Sequence, residues 1–262
     1  MDLGLDGKTA IVTGGSRGLG RAIVLELASE GANVVCAARG EDGLAEVVKL
    51  AKSLSGHVQP VVQDCGVRDA ASRVVGAALD AFGSIDVLVN NVGIGWPDHD
   101  WSTDDATWEA MININLYSAV RFAREAIPRM REQPYGRIVN ISSVGAHSGL
   151  PRMGDYNAAK AGMISWSKTL SRELAPSITV NCVLPASFET PLTRLHASEY
   201  AQEYGDTIEE VFTTYARENL AIHRFGNPAE LSGLVAFLAS ARASFITGVS
   251  YNVDGGYTKF AF

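Results

Sequence analysis

Short apolar runs rich in β-branched residues recur along this 262-residue sequence, with longer amphipathic stretches between them. The runs are TAIVT, NVVCAA, VQPVVQ, DVLVNN, RIVNIS, ITVNCVL and SYNVD. Several are apolar almost throughout rather than alternating, as strands covered on both faces should be, and such strands belong to parallel sheets built from βαβ units. Helix-length segments lie between them at 18–30, 41–54, 68–82, 104–131, 155–175 and 228–239. The pattern predicts an α/β fold. No linker, repeat or low-complexity tract interrupts it, so residues 1–262 read as a single domain. With 47% hydrophobic residues the chain can fill a sizeable core.

The rhythm lapses between about 186 and 227, where Phe188, His196, Tyr200, Tyr204, Phe212, Tyr215 and His223 accumulate. Long connections carrying aromatics are commonly lids or binding loops. The segment therefore reads as a substrate loop or lid, or alternatively as a pair of surface helices packed by their aromatics.

A formal net charge of -7 works against a broad surface for nucleic acid or anionic membrane, since both select basic patches. Neither partner is expected. Cys36, Cys65 and Cys182 are odd in number, far apart, and set in or beside apolar runs, which suits buried thiols in a reducing compartment. The N-terminal MDLGLDGKTAIVTGG is acidic where a signal peptide is basic, and no apolar stretch approaches the roughly 18 residues of a membrane span. A cytoplasmic protein is expected. The five histidines show no ligand spacing, so no metal is expected.

The first run passes directly into GGSRGLGRAIVLELA, placing Gly14, Gly18 and Gly20 between a strand and an amphipathic helix. Glycines there let backbone amides approach a pyrophosphate, and the helix N-terminus adds partial positive charge. A P-loop is ruled out because no Gly-Lys-Ser/Thr closes the run. The second run ends in Ala38 and Arg39, with Arg17 in the glycine turn nearby. An acid at this point would accept from a free ribose 2'-hydroxyl, whereas a 2'-phosphate needs a cation. Two guanidiniums favour NADP(H), with NAD(H) possible through Glu41 or Asp42.

In GDYNAAKAGM, Tyr156 and Lys160 stand four apart and so share one helix face. A neighbouring ammonium is expected to favour the phenolate and bring it toward the working range, making Tyr156 a general acid or base. Ser143 directly follows the run RIVNIS, where its hydroxyl could bond a substrate carbonyl oxygen; Ser142 competes, and strand alternation lets one of the two face the cleft. A Ser-His-Asp reading through His147 lacks the G-x-S-x-G elbow.

With the glycine turn, DVLVNNVG, IVNISS, Tyr156-x-x-x-Lys160 and NVDGG all in order, the sequence resembles the short-chain dehydrogenase/reductase family over essentially its whole length. The resemblance implies a doubly wound, Rossmann-type sheet of about seven parallel strands with helices on both faces. It implies Asn115, Ser143, Tyr156 and Lys160 as the catalytic four, with Asn115 holding a water that passes protons toward Lys160. Lys160 would also bond the nicotinamide ribose. Along the cofactor it places Gly14, Ser16, Arg17, Gly18, Leu19, Gly20, Arg39, Asn90, Asn91, Gly93, Tyr156, Lys160, Pro185 and Thr190, with Asp64 on the adenine amino group. Val92 and Ala186 depart from the alanine and glycine usual in the family, which predicts a tighter pocket at the nicotinamide. The resemblance also implies a homotetramer, with helices 104–131 and 155–175 and the tail YTKFAF at subunit contacts.

The expected reaction is hydride transfer between NADPH and a small or medium apolar carbonyl compound or secondary alcohol. A 3-oxoacyl-carrier-protein reductase is the alternative, and it would want a basic docking patch that Arg124, Arg129, Arg131 and Arg172 could contribute to. A non-catalytic dinucleotide sensor is a more remote one.

Overall fold

The computed structural model describes residues 2–95 and 98–260. Seven strands form one parallel sheet in the order β3-β2-β1-β4-β5-β6-β7. They are β1 Thr9–Thr13, β2 Asn33–Ala38, β3 Val58–Val62, β4 Val87–Asn90, β5 Gly136–Ile141, β6 Ile178–Pro185 and β7 Ser250–Val253. Every run picked out by its apolar content is a strand.

Successive side chains of these strands enter opposite cores. Val12, Cys36, Val89, Val139 and Val183 join a cluster with Ile23, Val24 and Leu27 of α1 (Gly18–Ser29), Leu44 and Val47 of α2 (Glu41–Ala51), and Leu231 and Val235 further along the chain. Ile11, Val35, Leu88, Ile138 and Val180 join a second cluster, with Val74 of α3 (Ala70–Phe82) and with Phe122 and Met130. In β1, β2, β4, β5 and β6 both faces are dry, so side chains alternate between the two cores while polarity does not alternate; the edge strands β3 and β7 are partly exposed, Val62 at 54%.

On the second face a single helical rod runs from α4 (Asp105–Ile112) through a π-helical turn (Asn113–Tyr117) into α5 (Ser118–Met130). After β5 come the short α6 (Gly145–Ser148) and α7 (Gly154–Glu173). Beyond β6 the expected loop is helical: α8 (Pro191–Tyr204) and α9 (Ile208–Asn219), followed by α10 (Pro228–Ala239). Each begins with a reciprocal capping box, Thr190 with Thr193, Thr207 with Glu210 and Asn227 with Glu230, which satisfies amides that the helix start leaves unpaired. Aromatic pairs hold the segment, with Phe212 against Phe225 at 4.4 Å, Tyr215 against Phe225 at 5.6 Å and Tyr200 against Tyr204 at 4.4 Å. Two helices thus occupy most of 186–227.

Candidate active site

Between β1 and β4 the strand order reverses direction, and the carboxyl ends of the strands at such a switch point leave a crevice. Thr13 ties its two sides together, its Oγ1 accepting from Asn91 N at 3.0 Å and Val92 N at 3.1 Å. From the β4 side, Asn91 Nδ2 donates to Thr13 O at 2.9 Å and Gly14 O at 3.2 Å.

The glycine turn fills the β1 side of the crevice. Gly14 and Gly18 take φ of 68° and 56°, in the left-handed region that side chains disfavour. At Gly20 the constraint is proximity: a Cβ would stand 2.2 Å from Gly14 O. Arg17 N-caps α1 in extended conformation without a side-chain cap, and the first turn of α1 holds no acidic residue. Its amides are therefore available to an anion, as a pyrophosphate requires. Ser16 and Leu19 lie in the same turn, where Ser16 O accepts from Arg21 Nε at 2.9 Å. The N-terminus of α8 closes over it, since a Cβ on Gly18 would be 3.4 Å from Thr190 Cβ.

Arg39 follows the end of β2, and both it and Arg17 are exposed. Neither makes an ion pair among the described residues, so both guanidiniums are available to a phosphate. Asp64, after β3, is exposed and accepts from Gly66 N at 2.8 Å. Pro185 is the last residue of β6, paired with Val253.

Asn90 belongs elsewhere. It is buried, and its Nδ2 donates to Asn140 Oδ1 at 2.8 Å while Asn140 Nδ2 donates to Ser167 Oγ at 2.7 Å, a polar chain between the sheet and α7. A one-residue step along the strand turns its side chain into the core and leaves Asn91 at the crevice. Val92 packs against the α3/α5 cluster and Ala186 against Val144, Cys182 and Leu184, so their added bulk enters the interior.

Tyr156 and Lys160 lie on the first two turns of α7, facing the ends of β4 and β5. The serines divide as strand alternation demands: Ser142 Oγ donates to Lys160 O at 2.9 Å, whereas Ser143 lies on the Tyr156 side and its Oγ accepts from Gly145 N at 3.0 Å. Asn115 sits within the π-helical turn. Its Nδ2 donates to Ile94 O at 2.9 Å and its Oδ1 accepts from Ile94 N at 3.1 Å, which pins the chain leaving β4. Gly93 is where that chain passes closest to the polar cluster; a Cβ there would be 2.7 Å from Asn115 Oδ1 and 3.0 Å from Lys160 Nζ. The four residues are thus brought together.

Their electrostatics differ from expectation. Burial pushes the Tyr156 phenol above its ordinary value, and the neighbouring Ser143 hydroxyl pulls only part of the way back. Lys160 Nζ lies 5.8 Å from the Tyr156 ring centroid and donates to Ile141 O at 2.9 Å. Burial lowers its own pKa to about 8, with the Cys182 thiol acting in the opposite sense. In a dry site the loss of hydration around a phenolate outweighs an ammonium whose proton is directed at a carbonyl.

The signals that sequence reading missed are the Thr13 hydroxyl, the Arg21 brace and the backbone contacts of Asn115. Thr13 directly precedes the glycine pair and marked itself only by position. Among the described residues no group of three or more His, Cys, Asp or Glu could hold a metal, and no helix is long and apolar enough to cross a membrane.

A glycine-lined crevice at the switch point, joined to a Ser-Tyr-Lys cluster whose serine and lysine are buried and whose tyrosine is half-buried, defines a dinucleotide-dependent oxidoreductase. Comparison with known proteins agrees: residues 14–258 match the family model adh_short_C2, described as Enoyl-(Acyl carrier protein) reductase. The chain belongs to the short-chain dehydrogenase/reductase family. It is 36% identical over 253 residues to a 3-oxoacyl-[acyl-carrier-protein] reductase of Thermotoga maritima, covering 96% of this chain and 98% of that one. With Dehydrogenase/reductase SDR family member 4 of Sus scrofa it is 31% identical over 254 residues, covering 96% and 88%. The structure of L-sorbose reductase from Gluconobacter frateurii, complexed with NADPH and L-sorbose, superposes with a TM-score of 0.96 at 35% identity over 100% of both chains.

Proposed function

We propose that the protein catalyses NADPH-dependent reduction of a small ketone, and the reverse oxidation, with Tyr156 as the proton carrier. The observation that carries this reading is the gathering of Ser143, Tyr156, Lys160 and Asn115 at the mouth of a crevice shaped for a dinucleotide. The cofactor, when bound, supplies or accepts the hydride. Ser143 Oγ donates to the carbonyl oxygen, stabilising the charge that grows there, and Tyr156 Oη delivers its proton to the same oxygen. A phenol held protonated by burial is well suited to the reductive direction. Lys160 orients the nicotinamide ribose and backs the phenol with positive charge. Asn115 shapes the floor through Ile94.

NADPH is favoured over NADH by the exposed Arg17 and Arg39, which have no ion-pair partner among the described residues, and the neighbouring sorbose reductase was solved with NADPH. For the substrate, the aromatics of the 186–227 segment engage one another: Phe212 and Tyr215 pack on Phe225, and Tyr200 on Tyr204. Full-length similarity to an L-sorbose reductase then supports a small polyhydroxy ketone as the first candidate, ahead of the apolar carbonyl compounds. The Thermotoga maritima relative supports reduction of a 3-oxoacyl thioester as the second reading.

The test follows NADPH absorbance with ketoses, cyclic and aryl ketones, and a 3-oxoacyl thioester. Turnover of a ketone that is lost in Tyr156→Phe, with NADPH still bound, is expected. Preference for the thioester would reverse the substrate order, and full activity of Tyr156→Phe would remove the mechanism. A homotetramer is part of the proposal, since Trp101 and Phe245 are 95% and 102% exposed and large apolar groups so placed suit subunit contacts. Light scattering should return about four times the chain's 27.9 kDa. A reducing, cytoplasmic setting suits the three free thiols.

A further inference from the structure

The residue preceding Tyr156 is an acid, and it is 1% exposed. Asp155 Oδ1 accepts from Tyr156 N at 2.7 Å, and its Oδ2 lies 2.6 Å from Nδ1 of His99. A carboxylate buried to this degree is stable only if its oxygens are occupied, and both are. His99 comes from the chain that leaves β4. Its backbone N donates to Arg152 O at 3.0 Å, it forms a parallel bridge with Met153, and its neighbour Asp98 pairs with the Arg152 guanidinium. Arg152 takes φ of 56°, an uncommon conformation for a residue with a side chain, and these contacts hold it there.

The same chain is fixed on the other side of the site by Asn115, which grips the backbone of Ile94. Close to that grip it meets the catalytic phenol: a Cβ on Gly95 would stand 3.2 Å from the edge of the Tyr156 ring. Asp155 therefore reaches Tyr156 from its backbone side and, through His99, draws the post-β4 chain onto its ring side. A helix-capping acid would need the first contact alone.

We infer that Asp155 and His99 are positioning residues for Tyr156, a buried acid-imidazole clasp that joins the post-β4 chain to the start of the catalytic helix and fixes the phenol against Ser143. The catalytic part of this inference rests on the proposed function.

The test compares His99→Ala, Asp155→Asn, the double variant and His99→Asn with the wild type. It measures kcat and KM for the preferred ketone, NADPH affinity by fluorescence, melting temperature, and the ionisation midpoint of the Tyr156 phenol. The midpoint is read from the tyrosine 13Cζ resonance that disappears in Tyr156→Phe. We expect kcat in His99→Ala and Asp155→Asn to fall about 10- to 100-fold, as for a reacting group displaced by a fraction of an ångström to an ångström, with NADPH affinity unchanged. The double variant should be no worse than the poorer single one, His99→Asn should recover part of the loss, and the Tyr156 midpoint should move. Unchanged kcat and midpoint would overturn the inference, as would a loss that tracks melting temperature and NADPH affinity. If no ketone is turned over while the midpoint still moves in His99→Ala, the clasp stands and the proposed reaction fails.

Discussion

Lys160 keeps an ammonium at 2% exposure, where Ile141 O accepts one of its protons and water cannot reach the rest. Its pKa of about 8 lies below the ordinary 10.5, so between those values the unfolded chain holds a proton that the folded chain has released. Stability therefore rises with pH through that window, and below it the full cost of burying the charge is present. Lys160→Met is expected to raise the melting temperature of the cofactor-free protein at pH 7 while abolishing turnover, and its advantage should shrink between pH 8 and about 10. Thermal denaturation at a series of pH values checks both. A variant that loses stability at pH 7 would mean the lysine braces the helix more than it burdens it. The residues of this cluster were legible in the sequence because their spacing is local: Tyr156 and Lys160 share a helix, and Ser143 lies just beyond the end of a strand. The ionisation of the phenol was not legible, because it depends on how completely α7 and the post-β4 chain exclude water, a property of packing that no spacing encodes. His99 and Asp155 were hidden for a related reason, being separated by 56 positions and joined only by the fold.

Among the elements, the turn between β1 and α1 is the least tolerant of added atoms. Gly20→Ala would drive a methyl to 2.2 Å from Gly14 O and 2.5 Å from Asn91 Nδ2. Backbone cannot yield as a side chain can, so a loss of about 1–3 kcal/mol in stability is expected, with NADPH affinity reduced at least about ten-fold. Gly76→Ala in α3, where the new methyl meets nothing within 4 Å, should instead stabilise by about 1 kcal/mol. Denaturant titration of the pair separates conformational cost from collision. At the end of β2, Arg39→Ala is expected to weaken NADPH about ten-fold or more and leave NADH nearly unchanged, since a charge-assisted bond to phosphate is the contact removed. Equal effects on both cofactors in a steady-state assay would refute that role. The five inner strands were readable because apolar continuity follows directly from burial on two faces, whereas the edge strands β3 and β7, partly exposed, showed only short runs between turn signals. Helices α8 and α9 were left undecided against a loop although Thr190 with Thr193 and Thr207 with Glu210 announce their starts, since a pattern built on aromatic content draws attention to ligands before caps. The π-helical turn gives no sign in NINLY, for its wider hydrogen-bond spacing answers to what Asn115 must reach.

Across the whole molecule the sheet separates two cores, and each of the three thiols is enclosed by one of the packed layers. Burial raises Cys36 and Cys65 to about 12 and Cys182 to about 11. Thiolate is the reactive form, so none should react with a disulfide reagent at pH 7–8 until the chain unfolds, when all three should react together. A thiol titrating in the native protein would place that core in contact with solvent. The strand order carries a consequence for biogenesis. Ala10 in β1 pairs with Val34 on one side but with Val87 on the other. A nascent polypeptide leaving the ribosome therefore displays one bare, apolar margin of its first strand until a third of the message has been translated, and a product cut short before β4 would offer that margin to copies of itself.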